Sequence, residues 1–178
     1  FARREGGEMA FTDLNEIVDR SLMLVRHHME MSGVTLQAQL LEGDPMVYGQ
    51  AGELQQALVA LLVNAVEAMK DGGQLTVRMW GDAVQVAIDV SDTGTGIPAE
   101  SLPRIFEPFY STKSKESGVG LGLAVVYGII HRHKGIVGVE SEVGNGTTFH
   151  IVLPRDSRPK EIPVQACPWA PGMVGRST

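Results

Sequence analysis

Asp92 ends a stretch, Val84 to Asp92, in which apolar and polar residues alternate. Val84, Val86, Ile88 and Val90 share one face of the expected strand, and Gln85, Ala87, Asp89 and Ser91 the other. By that parity Asp92 falls on the apolar face, where a carboxylate is costly unless a donor reaches it. A purine amino group is one candidate donor. The run D-T-G-T-G-I-P that begins at Asp92 supplies Gly94, Gly96 and Ile97 in a turn whose backbone can pass close to a flat ligand. Further on, Gly118, Val119, Gly120, Leu121, Gly122 and Leu123 lead into an apolar helix expected over Leu121 to His133. Free N–H groups at a helix start, with no Cβ in the way, suit phosphate. A third element is the amphipathic helix expected from Glu53 to Met69. Its stripe is Leu54, Leu58, Leu61, Leu62, Ala65 and Met69, and Asn64 lies on the stripe's flank beside Ala60 and Glu67. An amide carbonyl oxygen is a hard ligand of the kind Mg²⁺ accepts among its waters. Each glycine motif alone is common in tight turns. A base at one end, phosphates at the other and a cation ligand between them describe a nucleotide site.

The elements that must position these groups are legible along the chain. Asp13 and Glu16 are spaced as a capping box ahead of a helix that carries Leu14, Ile17, Val18, Leu22, Val25 and Met29 on one face. Gly33 stops that helix. Val34 to Leu41 alternates as a strand, and Met46 to Tyr48 reads as a short second one. Asp71-Gly72-Gly73 is a turn. Leu75, Val77 and Met79 then alternate with Thr76, Arg78 and Trp80, and a Gly81-Asp82 turn joins this strand to Val84–Asp92 as an antiparallel hairpin. Ile136 to Ser141 and Thr147 to Leu153 form another hairpin around Gly144-Asn145-Gly146. The expected fold is α+β, a two-layer sandwich. One layer of mixed, mostly antiparallel strands is covered on one face by three helices, with the site between the layers. Pro154 ends the last strand. The tail from 155 to 178, with Pro159, Pro163, Pro168 and Pro171 and little periodicity, reads as a linker or disordered end in which Val164 and Trp169 could still dock.

With 178 residues, 43% hydrophobic and 20% charged, the chain has the make-up of one globular domain with a sizeable core. A net charge of −6 argues against a nucleic-acid surface. No apolar run reaches membrane-spanning length. The single cysteine, Cys167, excludes an internal disulfide framework and fits a reducing compartment. The chain opens at Phe1 without Met, as a piece excised from something longer would.

In this order the motifs resemble the ATP-binding catalytic domain of sensor histidine kinases of two-component systems. That family shares its nucleotide fold, of the Bergerat type, with DNA gyrase, a heat-shock chaperone and a mismatch-repair ATPase. L-V-A-L-L-V-N-A-V-E-A-M resembles the family's asparagine box, D-T-G-T-G-I-P its first glycine box, and I-F-E-P-F-Y-S-T-K its phenylalanine box. G-V-G-L-G-L resembles the second glycine box and G-N-G-T-T-F the last motif. The resemblance covers residues 12–154, with 1–11 as the linker from an upstream hairpin. The E-A-M ending and the S-T-K are most similar to the nitrogen-regulation subgroup.

The resemblance implies ATP and Mg²⁺ as ligands. It implies Asp92 as the reader of adenine, Asn64 as the Mg²⁺ ligand, Lys113 at the γ-phosphate, and Gly118, Gly120 and Gly122 as phosphate amides. Thr147 would support Asp92. Phe106 is included among the nucleotide-binding residues, although Phe106, Phe109 and Tyr110 suit anchoring a lid, 101–117, or facing a partner better than touching ATP. Two departures stand out. Ala60 occupies a position where many members carry a second Asn and the hydrolytic relatives a water-activating Glu. Glu67 replaces a basic residue and reads as a solvated helix face. None of the five histidines has the surroundings of a phospho-acceptor. His131 and His133, at a helix end, would favour its dipole. The acceptor histidine, on a helical dimerisation hairpin, is therefore expected upstream of Phe1. The implied partners are that hairpin and the receiver domain of a response regulator, with no nucleic acid and no membrane contact by this domain. The implied location is the cytoplasm, whether or not the parent is membrane-tethered. Alternative readings are a nucleotide-binding regulatory module without transfer activity and a serine kinase of the anti-sigma type.

Overall fold

The computed structural model describes residues 7–111 and 122–159. In chain order the elements are β1 (Ala10–Asp13), α1 (Leu14–Met31), β2 (Val34–Gln39), β3 (Met46–Gly49), α2 (Ala51–Glu67), β4 (Gly73–Gly81), β5 (Gln85–Asp92), a 3₁₀ turn (Leu102–Arg104), α3 (Gly122–Arg132), β6 (Ile136–Glu142) and β7 (Gly146–Pro154). Five strands form the main sheet in the order β2-β4-β5-β7-β6. β2 runs parallel to β4, and the other neighbours are antiparallel. The α+β sandwich is as expected, and both hairpins form where the glycine turns put them.

Local sequence explains the helix starts. The Asp13 carboxylate accepts the Glu16 N–H at 3.1 Å and caps α1. The Gln50 side chain does the same for α2 through the Glu53 N–H. Period-two alternation then places Leu75, Val77, Met79, Val86, Ile88, Val90, Phe149, Ile151 and Leu153 on one sheet face, each at most 4% exposed. Against them lie the stripes of the helices, with Leu54, Leu58, Leu61 and Leu62 of α2 at most 4% exposed. Burying each such side chain is worth roughly 1.5–3 kcal/mol, so α2 is held by packing on both sides.

Three local expectations are changed or narrowed. β3 does not join the main sheet; it pairs antiparallel with β1 in a separate two-stranded sheet. β1 is too short to show a period, and its first two residues fall inside the stretch read as a linker. Phe11 of β1 meets Tyr48 of β3 edge-on at 5.3 Å. Secondly, the chain just after β7 is tied down. The Tyr48 N–H donates to the Arg155 carbonyl at 2.8 Å, and the Arg155 guanidinium donates to the carbonyls of Asp82 (2.6 Å) and Asp44 (2.7 Å). The Arg158 guanidinium lies 5.1 Å from the Phe11 ring centre and 5.6 Å from that of Tyr48. Val164 and Trp169 lie outside the described residues. Thirdly, His133, read from the sequence as a structural or surface residue whose charge would favour the helix dipole, is structural: it is 2% exposed. Its Nε2 takes the Gln50 N–H at 3.0 Å, so that nitrogen carries a lone pair; Nδ1–H donates to the Ile129 carbonyl at 2.8 Å. A neutral imidazole thus staples the end of α3 to the start of α2.

Candidate functional site

Strand register brings the polar residues together. Asp92 of β5 sits opposite Thr147 of β7, and Thr147 sits opposite Ser141 of β6. All three lie on the helix-facing side of the sheet, where their neighbours along each strand are apolar. Asp92 is 6% exposed and Thr147 5%. The Asp92 Oδ1 accepts the Gly94 N–H at 2.8 Å, which fixes the carboxylate plane.

The glycines are required by close approach. A Cβ on Gly94 would lie 2.5 Å from the Ala68 carbonyl oxygen, at the end of α2. The Thr95 N–H donates to that same oxygen at 3.2 Å. Gly146 has φ +94°, and a Cβ there would lie 1.9 Å from the Asp92 carbonyl oxygen. The Gly144 N–H donates to the Thr95 carbonyl at 2.8 Å. The end of α2, the turn after β5 and the β6–β7 hairpin are therefore welded into one wall.

That wall borders a cleft of about 1320 Å³. Asn64, Asp92, Gly94, Gly96, Ile97, Gly122 and Thr147 line it, and so do Ala60, Glu67 and Leu123. Glu67, expected on a solvated face, is half-buried on the cleft wall. α3 begins at Gly122 against the cleft. Lys113, Gly118, Val119, Gly120 and Leu121 lie outside the described residues, so the site includes nothing from them here.

Phe106 is not among the described residues that line the cleft. Its ring packs 6.3 Å from Phe149 and 5.7 Å from Tyr127, centre to centre, because an aromatic this close to the sheet is better buried in the core than left in a wet cleft. Tyr110, expected to anchor a lid or face a partner, lines the cleft with the Arg104 guanidinium 4.4 Å from its ring centre. Phe109 is 73% exposed at φ +65°.

Two contributions escaped the sequence reading. His28 and Ser32 of α1 and its C-terminal turn also line the cleft. Ser141 braces it from behind: its Oγ accepts the Ile97 N–H at 2.7 Å and lies 2.8 Å from the Thr147 Oγ1. The signal for Ser141 was available, since it breaks the inward parity of Val137 and Val139 just as Asp92 breaks that of Val90.

The donor set fits Mg²⁺. Among the described residues no three His, Cys, Asp or Glu converge as a metal cage. One carbonyl oxygen from Asn64 in a roomy cleft suits a cation that keeps most of its waters and takes its other ligands from phosphate.

Comparison with known proteins agrees with this geometry. Residues 49–157 match the family described as histidine kinase-, DNA gyrase B-, and HSP90-like ATPase. Sensor kinase CckA of Brucella abortus (strain 2308) is 38% identical over 187 residues, spanning 93% of this chain and 19% of that protein. Sporulation kinase E of Bacillus subtilis (strain 168) is 40% identical over 142 residues, spanning 79% of this chain and 19% of that protein. The chain thus spans about a fifth of the length of these relatives. Of solved structures, a mycobacterial sensor histidine kinase, MprB, superposes with TM-score 0.73 at 30% identity, covering 83% of this chain and 97% of that one. The catalytic domain of the histidine kinase ThkA superposes with TM-score 0.75 at 26% identity, covering 84% and 97%. The match over more than half its length, onto the motifs that build the cleft, means that the chain belongs to the histidine kinase-, DNA gyrase B- and HSP90-like ATPase family.

Proposed function

We propose that this domain is the catalytic part of a sensor histidine kinase. It binds Mg·ATP and transfers the γ-phosphoryl group to a histidine on a separate dimerisation hairpin, for relay to an aspartate of a response regulator. The observation that carries the reading is Asp92: a carboxylate buried on the sheet, fixed by Gly94 and facing the cleft that Asn64 borders. The relatives support it, being named sensor and sporulation kinases. ThkA is known in complex with the response regulator protein TrrA.

In this reading Asp92 accepts from the adenine amino group and the amides at the start of α3 face the phosphates. Lys113 adds a flexible positive charge at the γ-phosphate. The Asn64 oxygen would hold Mg²⁺, which supplies charge neutralisation where the γ-phosphoryl group departs. The acceptor imidazole nitrogen forms the new bond to phosphorus as the bond to the bridging oxygen breaks, and ADP leaves. Ala60 puts no carboxylate at the position where the hydrolytic relatives carry a water-activating Glu, which suits transfer to protein over hydrolysis. The acceptor hairpin seats beside the lid, on the exposed Phe109 and on Tyr127, whose ring stacks on His131 with a 4° interplanar angle. The domain, read from the sequence as 12–154, extends in this proposal from β1 to the segment clasped by Tyr48. No helix among the described residues is long and apolar enough to cross a membrane.

A second reading, a regulatory module without transfer, draws on Glu67, a carboxylate on the wall where the family carries a base. The test is to mix the domain with a sensor-kinase acceptor hairpin, labelled ATP and Mg²⁺. Acid-labile, alkali-stable label on the hairpin supports the kinase, with loss of Mg²⁺-dependent transfer in Asn64→Ala. Nucleotide binding without label supports the module, and acid-stable phosphoserine on a small partner points to the serine kinase.

A further inference from the structure

We propose that Ser141 is a specificity-determining positioning residue, which makes the cleft select a 6-amino purine by fixing the direction of the Thr147 hydroxyl. This rests on the nucleotide reading of the cleft.

The argument is a count of protons. Ser141 Oγ has three neighbours within hydrogen-bond distance. The Ile97 N–H, at 2.7 Å, can only donate, so Ser141 accepts there. The Gly146 carbonyl oxygen, at 3.0 Å, can only accept, and all three contacts are hydrogen bonds together only when the single Ser141 hydrogen goes to it. The third neighbour is Thr147 Oγ1 at 2.8 Å. With the Ser141 hydrogen committed, Thr147 must be the donor in that pair. Its one hydrogen then points behind the sheet row, toward β6, and what it presents to the cleft is lone pairs.

Asp92 stands directly opposite Thr147 in the strand register and is also an acceptor. The cleft floor therefore offers two acceptors side by side, both nearly removed from water. An acceptor pair in a desolvated setting welcomes an amino group and repels a carbonyl. Adenine carries an amino group at its 6-position, whereas guanine and hypoxanthine carry an oxygen. Without Ser141 the Thr147 hydroxyl is free to turn and donate into the cleft, which removes part of the penalty against the oxygen. Ser141 is itself outside the cleft lining, so it acts through Thr147 and through the Ile97 turn.

The test is calorimetric binding of Mg·ATP and Mg·ITP, which differ at the purine 6-position, to the wild-type chain and its Ser141 variants. Wild type prefers ATP. In Ser141→Ala the ATP-over-ITP preference falls roughly three- to tenfold, the worth of one oriented hydrogen bond, and Ser141→Thr restores it. Equal weakening of both nucleotides, with the ratio unchanged, makes Ser141 only a brace for the turn and overturns the proposal while leaving the kinase reading intact. Failure of the wild type to bind either nucleotide overturns both. If Ser141→Ala does not fold, Ser141→Cys keeps the shape with a weaker hydrogen-bonding group, and the same ratio decides.

Discussion

Replacing Asp92 by Asn changes one oxygen for one NH₂ at the most consequential position in the cleft. The side chain is 6% exposed, and its Oδ1 takes the Gly94 N–H at 2.8 Å. Asparagine can keep that bond with its own oxygen, so the turn and the fold should survive with a small change in melting temperature. What it cannot keep is a second acceptor and the charge. Its NH₂ would meet the adenine amino group donor against donor. Hydrogen bonds to charged groups are worth about 1.5–3 kcal/mol, so ATP affinity should fall roughly ten- to hundredfold. Titration calorimetry with Mg·ATP measures this directly, and thermal unfolding of the free variant checks that the cleft is still built. ITP supplies an internal control, because its 6-oxygen can accept from the new NH₂ and should lose far less affinity. A folded Asp92→Asn protein that binds ATP as tightly as wild type would remove Asp92 from the base-reading role.

Gly146→Ala puts a methyl group 1.9 Å from the Asp92 carbonyl oxygen at φ +94°, and should cost about 3 kcal/mol of stability by urea unfolding. Gly144→Ala, also at positive φ but with nothing within 4 Å of the new atom, should cost about 1 kcal/mol; equal losses would mean that close approach is not what demands Gly146. His133→Ala strands the Gln50 N–H and opens a hole between α2 and α3. A loss of roughly 2–4 kcal/mol is expected by urea unfolding, with ATP affinity nearly unchanged because His133 does not line the cleft. The N–H groups of Val84 and Gln85 hold the Asp82 carboxyl below its ordinary value of 3.8. A depressed carboxyl stabilises the fold above that value and ceases to as pH falls through the folded one. The stability gap between wild type and Asp82→Ala should thus be present at neutral pH and close in strong acid; a gap that persists there would contradict the turn's role.

Much of the site could be read from particular residues. Asp92 announced itself by breaking the inward parity of Val86, Ile88 and Val90. Asn64 did so by its place on the flank of an apolar stripe, and both are where those patterns put them. Ser141 carried the same signal and was passed over, because one serine at a strand end is cheap to bury and calls for no explanation. Phe106 shows the limit of such reading: its motif does not reveal the neighbours, Phe149 and Tyr127, against which the fold packs its ring. β1 is four residues long and shows no period; it exists because β3 is there to pair with it.

The sequence by itself determined the periodic elements, the turns between them and the residues that break the pattern, because period and backbone preference act over a few neighbouring residues. Beyond the two hairpins, only the tertiary structure decided which strands lie side by side, and with the pairing of β5 to β7 the row Asp92–Thr147–Ser141. Register is a long-range agreement between distant segments. The direction of a hydroxyl hydrogen depends on every neighbour that register brings within about 3 Å, the reach of a hydrogen bond.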